Sequence, residues 1–164
     1  MRQSFRRFGC RHRNSIARSN RMPTNPHIDW HSKVKEALDR TDIMALSTIG
    51  DDGSWTSPVQ YRHGPRLELY FESMNETKHV ANIRNDPRVS VAIYWPEAFR
   101  GGGNLGLQIR GTAEELTGEG HGPSAESGAW HTFKITPDEV WCFDSRVSPE
   151  RQKIELAELN VGER

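Results

Sequence analysis

The chain has 164 residues, which is enough to bury one good hydrophobic core, so a single domain is expected. Its formal net charge is zero, but residues 1–22 hold seven arginines and no acid, so the remainder sums to −7. A mildly acidic body, no apolar run near the ~20 residues of a membrane span, and only two cysteines argue against a nucleic-acid surface, a membrane protein and a disulfide framework. We expect a cytoplasmic protein.

The basic leader MRQSFRRFGCRHRNSIARSNRM lacks the apolar centre of a secretory signal. It fits a transit peptide or a nucleic-acid-binding tail. It also fits sequence upstream of the true start codon, which would be present only because the start was assigned too early. Met22 followed by Pro-Thr-Asn-Pro would be an ordinary start, and we favour this third interpretation. In each case we expect residues 1–25 to be disordered. The folded domain is then predicted over residues 26–148, with a charged extension over residues 149–164.

The first part of the domain has the pattern of a helix followed by a hairpin. Apolar residues at helical spacing predict a helix over residues 28–40, with Asp29 suited to the N-cap. The Asp-Gly signal within residues 50–53 predicts a tight turn. Pro58 favours an edge position or a bulge for the strand that contains it. The strands joined by this turn are predicted over residues 43–49 and 55–61.

The chain is organised around residues 66–95. Apolar residues at period two predict a strand from Leu67, a polar loop and a short helix follow, and a second strand begins after Pro87. A strand that leads into a helix N-terminus with a hydroxyl, a lysine and unpaired backbone N–H groups suits a phosphate group. The segment from Ser73 to Glu76 also fits a capping box, the structural alternative for the same residues.

The second half continues with strands separated by polar loops. A long strand is predicted over residues 105–116, with a kink or bulge at Gly111, and a short helix is expected within residues 149–164. Two more strands are predicted over residues 130–135 and 139–144, and loops over residues 97–104 and 117–128. The fold predicted is mainly β, a six- to seven-stranded antiparallel split barrel with an N-terminal helix and one inserted helix. A sandwich is the alternative.

In order and spacing, several of these segments resemble the pyridoxamine 5′-phosphate oxidase-like FMN-binding split barrels. The resemblance covers roughly residues 28–145. Its most specific parts are Thr77-Lys78 with Asn82-Ile83, the run DPRVS at residues 86–90, and the run IRGTA at residues 109–113. The family resemblance implies a homodimer that binds FMN at the subunit interface, with a small molecule as substrate.

The resemblance also implies positions for the cofactor. Thr77, Lys78 and His79 correspond to the hydroxyl and basic residues that bind the FMN phosphate, and Ser73 corresponds to a loop hydroxyl. The strand whose backbone meets the flavin ring corresponds to Trp55, Thr56, Ser57, Pro58 and Val59. Two carboxylates, Glu72 and Glu76, would oppose a phosphate unless they point away. The Arg-x-His pair of true pyridoxamine 5′-phosphate oxidases has no counterpart after Lys134, so vitamin B6 oxidation is not assigned.

Function therefore follows from the cofactor, which carries out hydride or electron transfer itself. The expected function is an FMN-dependent oxidoreductase acting on an unknown small molecule, and no side chain is identified as catalytic. The alternatives are a non-catalytic flavin- or haem-binding stress or sensor module, and a deazaflavin-dependent reductase. No set of histidines or cysteines indicates a metal site.

Overall fold

A computed structural model describes residues 28–96, 103–117 and 130–164. The helices and strands are α1 (Trp30–Asp39), β1 (Ile43–Gly50), β2 (Gly53–Gln60), β3 (Arg62–His63), β4 (Leu69–Met74), α2 (Lys78–Asn85), β5 (Arg88–Pro96), β6 (Asn104–Leu116), β7 (Trp130–Asp144) and β8 (Gln152–Ile154), and a 3₁₀ turn spans Leu156–Glu158. The leader, with its expected disorder, and most of the two long loops lie outside the described residues. No helix in the described ranges is long and apolar enough to cross a membrane.

The strands form one antiparallel sheet in the order β2-β1-β5-β6-β7-β4-β3, and β8 pairs with β7. Inward-facing residues of these strands make one core with the buried side of α1, whose Val34, Ala37 and Leu38 are buried. Helix α2 packs on β1 and β2. These two strands lie at one end of the strand order, whereas β4, which precedes α2 in the chain, lies near the other end. This arrangement confirms the predicted split barrel with one N-terminal and one inserted helix.

The predicted N-cap and edge strand are both confirmed. The Asp29 carboxylate accepts hydrogen bonds from the Ser32 backbone N–H at 3.1 Å and the Ser32 hydroxyl at 2.7 Å. Strand β2 ends the strand order, and the Tyr61 N–H donates to Asp42 O at 2.8 Å just beyond it. Because hydrogen-bonded pairs alternate along an antiparallel ladder, this bond places the nitrogen of Pro58 on the side facing away from β1, where no N–H is required.

The long strands differ from the prediction in one respect. Residues 130–135 and 139–144 belong to a single strand, β7, rather than to two. The register of β6 against β7 shifts between Arg110 and Gly111, as the predicted bulge requires. A Cβ atom at Gly111 would lie 2.4 Å from Thr136 O, so only glycine lets the two backbones approach here. The bulge absorbs the Thr-Pro-Asp segment that suggested a break in the strand.

The turn before β4 also differs from the prediction. Leu67 was expected to begin a strand, but its φ is 66°, in the left-handed region that a leucine rarely adopts. The Leu67 N–H donates to Gly64 O at 3.1 Å and the Gly64 N–H donates to Glu68 O at 2.8 Å, so this segment is a tight turn. The fully buried Leu67 side chain offsets the backbone strain, and β4 begins at Leu69.

The C-terminal segment packs against the barrel. Strand β8 pairs with β7, and the side chains of Ile154, Leu159 and Val161 are buried. The Arg164 N–H donates to His63 O at 3.0 Å, so the last residues run beside β3. The helix expected here is only the short 3₁₀ turn. With β3 and β8, the described residues hold eight strands rather than six or seven, because backbone pairing of such short segments leaves little trace in the sequence.

Candidate functional site

Three polar side chains converge where β4 passes into α2. Ser73 is the penultimate residue of β4, Thr77 is the N-cap of α2, and His79 is in the first turn of that helix. The Ser73 hydroxyl oxygen lies 2.6 Å from His79 Nε2 and 3.0 Å from the Thr77 hydroxyl oxygen. His79 Nε2 and the Thr77 hydroxyl oxygen are 3.2 Å apart. We call these three residues the hydroxyl–imidazole cluster.

A count of hydrogens assigns the direction of these bonds. The Thr77 hydroxyl donates to Met74 O at 3.0 Å, so its single hydrogen is used there. The Ser73 hydroxyl can then donate to the Thr77 hydroxyl oxygen. In the short contact between Ser73 and His79, the donor must therefore be an N–H on His79 Nε2. Only this assignment gives a hydrogen to each of the contacts His79–Ser73, Ser73–Thr77 and Thr77–Met74. The chain of donors therefore runs from His79 through Ser73 and Thr77 to the Met74 carbonyl.

The charge state of His79 follows from its burial. His79 is 8% exposed, and desolvation lowers its pKa below the ordinary value. At neutral pH the ring is therefore uncharged, with its hydrogen on Nε2. Its ring lies 6.3 Å from that of Phe71 and tilted to it, which closes the apolar side of the cluster.

The start of α2 keeps its backbone donors available. Thr77 occupies the N-cap, but its side chain makes no capping hydrogen bond and donates to Met74 instead. The alternative of a capping box from Ser73 to Glu76 is wrong, because Thr77 rather than Ser73 occupies the N-cap position and Glu76 lies exposed in the preceding turn. Glu72 alternates with Ser73 along β4 and so lies on the other face of the strand. The first-turn N–H groups of α2 are left for another acceptor.

Lys78 is directed to a different neighbour. Its Nζ lies 2.5 Å from Asp52 Oδ2, in the turn between β1 and β2, and 4.7 Å from the centre of the Trp55 ring. The structure therefore connects Lys78 to the hairpin, while Ser73, Thr77 and His79 contact one another. Sequence reasoning identified Lys78 but missed Asp52, which it assigned only to a turn.

The residues of β2 divide between its two faces. Trp55, Ser57 and Val59 pair with Thr48, Leu46 and Met44, all three of them buried, and so share the inner face. The Trp55 Nε1–H donates to the Ser57 hydroxyl at 2.9 Å. Thr56 and Pro58 lie on the other face, where the Thr56 and Ser47 hydroxyl oxygens are 2.8 Å apart. At 44% exposure, the Trp55 side chain remains available for contact beside Lys78.

Asn82 ties the hairpin to the helix and was missed as a site residue. Its side-chain amide donates to the Thr48 hydroxyl at 3.0 Å in the buried space between α2 and β1. A Cβ atom on Gly50 would lie 2.4 Å from Asn82 Oδ1, so glycine is needed where the hairpin meets the helix. The sequence signal was an amide at a buried helical position between Val80 and Ile83. This contact fixes the turn containing Asp52 beside the start of α2.

In the described ranges, no group of three or more His, Cys, Asp or Glu side chains is arranged to hold a metal ion.

Comparison with known proteins gives one family match. The family model described as pyridoxamine 5′-phosphate oxidase matches residues 31–161. A curated protein from Rhodopirellula baltica, named pyridoxine/pyridoxamine 5′-phosphate oxidase, is 27% identical over 108 residues, which are 61% of this chain and 46% of that protein. The chain thus spans about half the length of the curated relative that it matches.

Solved structures of other proteins share the fold. A haem-binding protein from Mycobacterium smegmatis superposes with a TM-score of 0.63 at 17% identity, covering 77% of this chain and 58% of that one. An FAD-binding protein from Mesorhizobium loti superposes with a TM-score of 0.55 at 23% identity, covering 66% of this chain and 90% of that one. At these identities the similarity establishes a common architecture.

Proposed function

From the premise that this chain belongs to the pyridoxamine 5′-phosphate oxidase family, we propose that it binds FMN and transfers a hydride or electrons to or from a small molecule. The observation that carries the proposal is the convergence of Ser73, Thr77 and His79 at the start of α2, with Lys78 between Thr77 and His79 in the chain. These are the residues that the family resemblance implies for phosphate binding.

The donors at this site suit a phosphate monoester. Its oxygens accept hydrogen bonds, and the site presents the Thr77 hydroxyl and the first-turn N–H groups of an eight-residue helix, while the neutral His79 ring and Ser73 stand behind that hydroxyl in the chain of donors. Lys78 adds a compact positive charge. Ser73, Thr77, Lys78 and His79 would hold the phosphate group. Because the hydroxyl hydrogens run towards the Met74 carbonyl, Thr77 must turn its hydrogen away from Met74 to donate to a phosphate oxygen.

The rest of the cofactor would lie against β2. Edge-strand backbone groups and the exposed Trp55 side chain are available there, and the residues proposed to face the ring are those from Trp55 to Val59. Bound FMN supplies the hydride or electron chemistry. The chain's own residues would bind the phosphate, orient the ring and exclude water from one side of it. A non-catalytic binding role uses the same contacts, and turnover with a reductant distinguishes the two.

The proposed assembly is an isologous homodimer with the cofactor at the interface. Large apolar side chains on β1, β2 and β5 are exposed by more than two fifths, which is unusual for so many residues in a small domain. They are Ile43 at 46%, Ile49 at 47%, Trp55 at 44%, Tyr94 at 56% and Trp95 at 44%. Ile43, Ile49 and Tyr94 share the outer face of the β1–β5 pair, and a second copy packed on that face would cover these three side chains. Trp55, on the inner face, would form a wall of the flavin site.

Substitution of Lys78 tests the proposal. Lys78→Ala should weaken FMN binding roughly ten- to hundredfold, because a hydrogen bond to a charged group contributes about 1.5–3 kcal/mol. Riboflavin, which lacks the phosphate, should bind the variant and the wild type equally. Lys35→Ala removes an exposed lysine from α1 and should change neither affinity. Affinities measured by flavin fluorescence quenching provide the comparison.

The outcomes separate the alternatives. Equal FMN affinity in Lys78→Ala and wild type would remove Lys78 from the phosphate site. A Soret band in the purified protein would instead favour haem, and tight binding of a deazaflavin without FMN binding would favour the deazaflavin-dependent reductase. If FMN binds but neither NADH nor NADPH reduces it, the non-catalytic binding role is preferred.

A further inference from the structure

The ammonium group proposed to bind phosphate is already engaged by a carboxylate. Lys78 Nζ lies 2.5 Å from Asp52 Oδ2, and the two side chains are 38% and 67% exposed. Trp55 covers another side of the same ammonium, with its ring centre 4.7 Å from Nζ. A phosphate that approaches Lys78 therefore meets an anion already in place.

The position of Asp52 is built into the fold. Asp52 lies in the two-residue turn between β1 and β2, and buried contacts hold this hairpin against α2. The Asn82 amide donates to the Thr48 hydroxyl at 3.0 Å, and Gly50 approaches Asn82 too closely for any side chain. The turn cannot move away from the start of α2 without breaking these buried contacts, so the carboxylate stays close to the site.

We propose that Asp52 limits the affinity of the phosphate site by competing with the ligand's phosphate for Lys78. This inference rests on the proposed function. The lysine can exchange Asp52 for a phosphate because both groups are anions and the pair is exposed to water, where ion pairs are weak and readily broken. A dianionic phosphate is opposed by the Asp52 charge, whereas a neutral ligand such as riboflavin is not. Asp52 thus lowers the preference of the site for FMN over riboflavin.

Removal of the charge tests this directly. Asp52→Asn keeps the size of the side chain and should lower the Kd for FMN roughly three- to tenfold at low salt, with the Kd for riboflavin unchanged. Asp51→Asn is the matched control, because Asp51 is an exposed acid in the same turn and Lys78 pairs with Asp52. It should change the FMN affinity much less. The gain in Asp52→Asn should shrink as salt screens the charges.

A double variant shows whether the effect passes through Lys78. In Lys78→Ala with Asp52→Asn, the second substitution should improve FMN binding no more than Asp51→Asn does. If Asp52→Asn weakens FMN binding, Asp52 positions the lysine and the competition is refuted. If Asp52→Asn and Asp51→Asn behave alike while Lys78→Ala weakens FMN, the inference fails and the proposed function stands. A wild-type protein that binds neither flavin overturns both.

Discussion

Among the acids in the described residues, Asp144 at the end of β7 should be the most costly to neutralise. It is fully buried, and it accepts hydrogen bonds from Arg146 Nε at 2.7 Å, Nη2 at 2.6 Å and the backbone N–H at 3.0 Å. Lys33 Nζ on α1 lies 3.1 Å from it. Through this group the N-terminal helix is joined to the barrel, and Glu36 extends the network by accepting from Arg146 at 2.9 Å.

The expected effect follows from these contacts. Asp144→Asn preserves the shape, but it removes the buried charge and sets an amide N–H₂ against cationic donors. Breaking one side of a buried ion pair costs about 3–5 kcal/mol. Lys33 and Arg146 are 24% and 26% exposed and Arg146 retains Glu36, so the lower end applies. We expect a loss of about 3 kcal/mol in the free energy of unfolding, measured by urea denaturation at pH 7.

The chain offers a matched control in Asp86. Asp86 and Arg88 repeat the same geometry, with Arg88 donating from Nε at 2.9 Å, Nη2 at 2.6 Å and the backbone N–H at 3.1 Å. This pair is more exposed than the Asp144 site, since the Arg88 side chain is 76% exposed and that of Asp86 is 23% exposed. Asp86→Asn should therefore cost only a small fraction of the loss in Asp144→Asn. Equal losses in the two variants would refute the claim that burial, rather than hydrogen-bond geometry, decides the cost.

Acid titration gives a second readout for Asp144. Burial raises its pKa, but the hydrogen bonds from Arg146 and Lys33 outweigh burial and hold the pKa at about 2, against an ordinary value of 3.8. Because the folded pKa is lower, the stabilisation is complete above pH 3.8 and disappears as the pH falls through about 2. The shift corresponds to roughly 2 kcal/mol. The stability difference between wild type and Asp144→Asn should shrink by this amount between pH 5 and 2.

Two further predictions concern a thiol and the assembly. Burial raises the pKa of Cys142 to about 12, so in a Cys10→Ser protein Ellman's reagent should react only after denaturation; rapid reaction of the folded protein would contradict its burial. The proposed homodimer predicts a light-scattering mass twice that of one chain, and substitution of the exposed Tyr94 by Glu should shift the mass towards the monomer. A stable wild-type monomer at micromolar concentration would count against that assembly.

Much of the candidate site could be predicted from the sequence, because its residues are close together along the chain. Ser73, Thr77 and His79 span one strand end, one turn and one helix start, so local patterns sufficed to group them. Asp52 is 26 residues from Lys78, and no periodicity relates a turn residue to a helix in another part of the chain. The capping-box alternative fails for a related reason, since the Ser73 hydroxyl contacts His79 rather than the helix backbone.

Taken alone, the sequence determined the elements whose patterns are local: the Asp29 cap, the tight turn at Gly50 to Gly53, the edge position of Pro58 and the bulge at Gly111. Each depends on backbone chemistry within a few residues, which a single sequence records directly. Only the tertiary structure decided that β7 is continuous and that β3 and β8 form. It also decided that Leu67 adopts a left-handed backbone conformation and that Asp52 pairs with Lys78. These features arise where packing of distant segments outweighs local preference, and their causes lie far away along the chain.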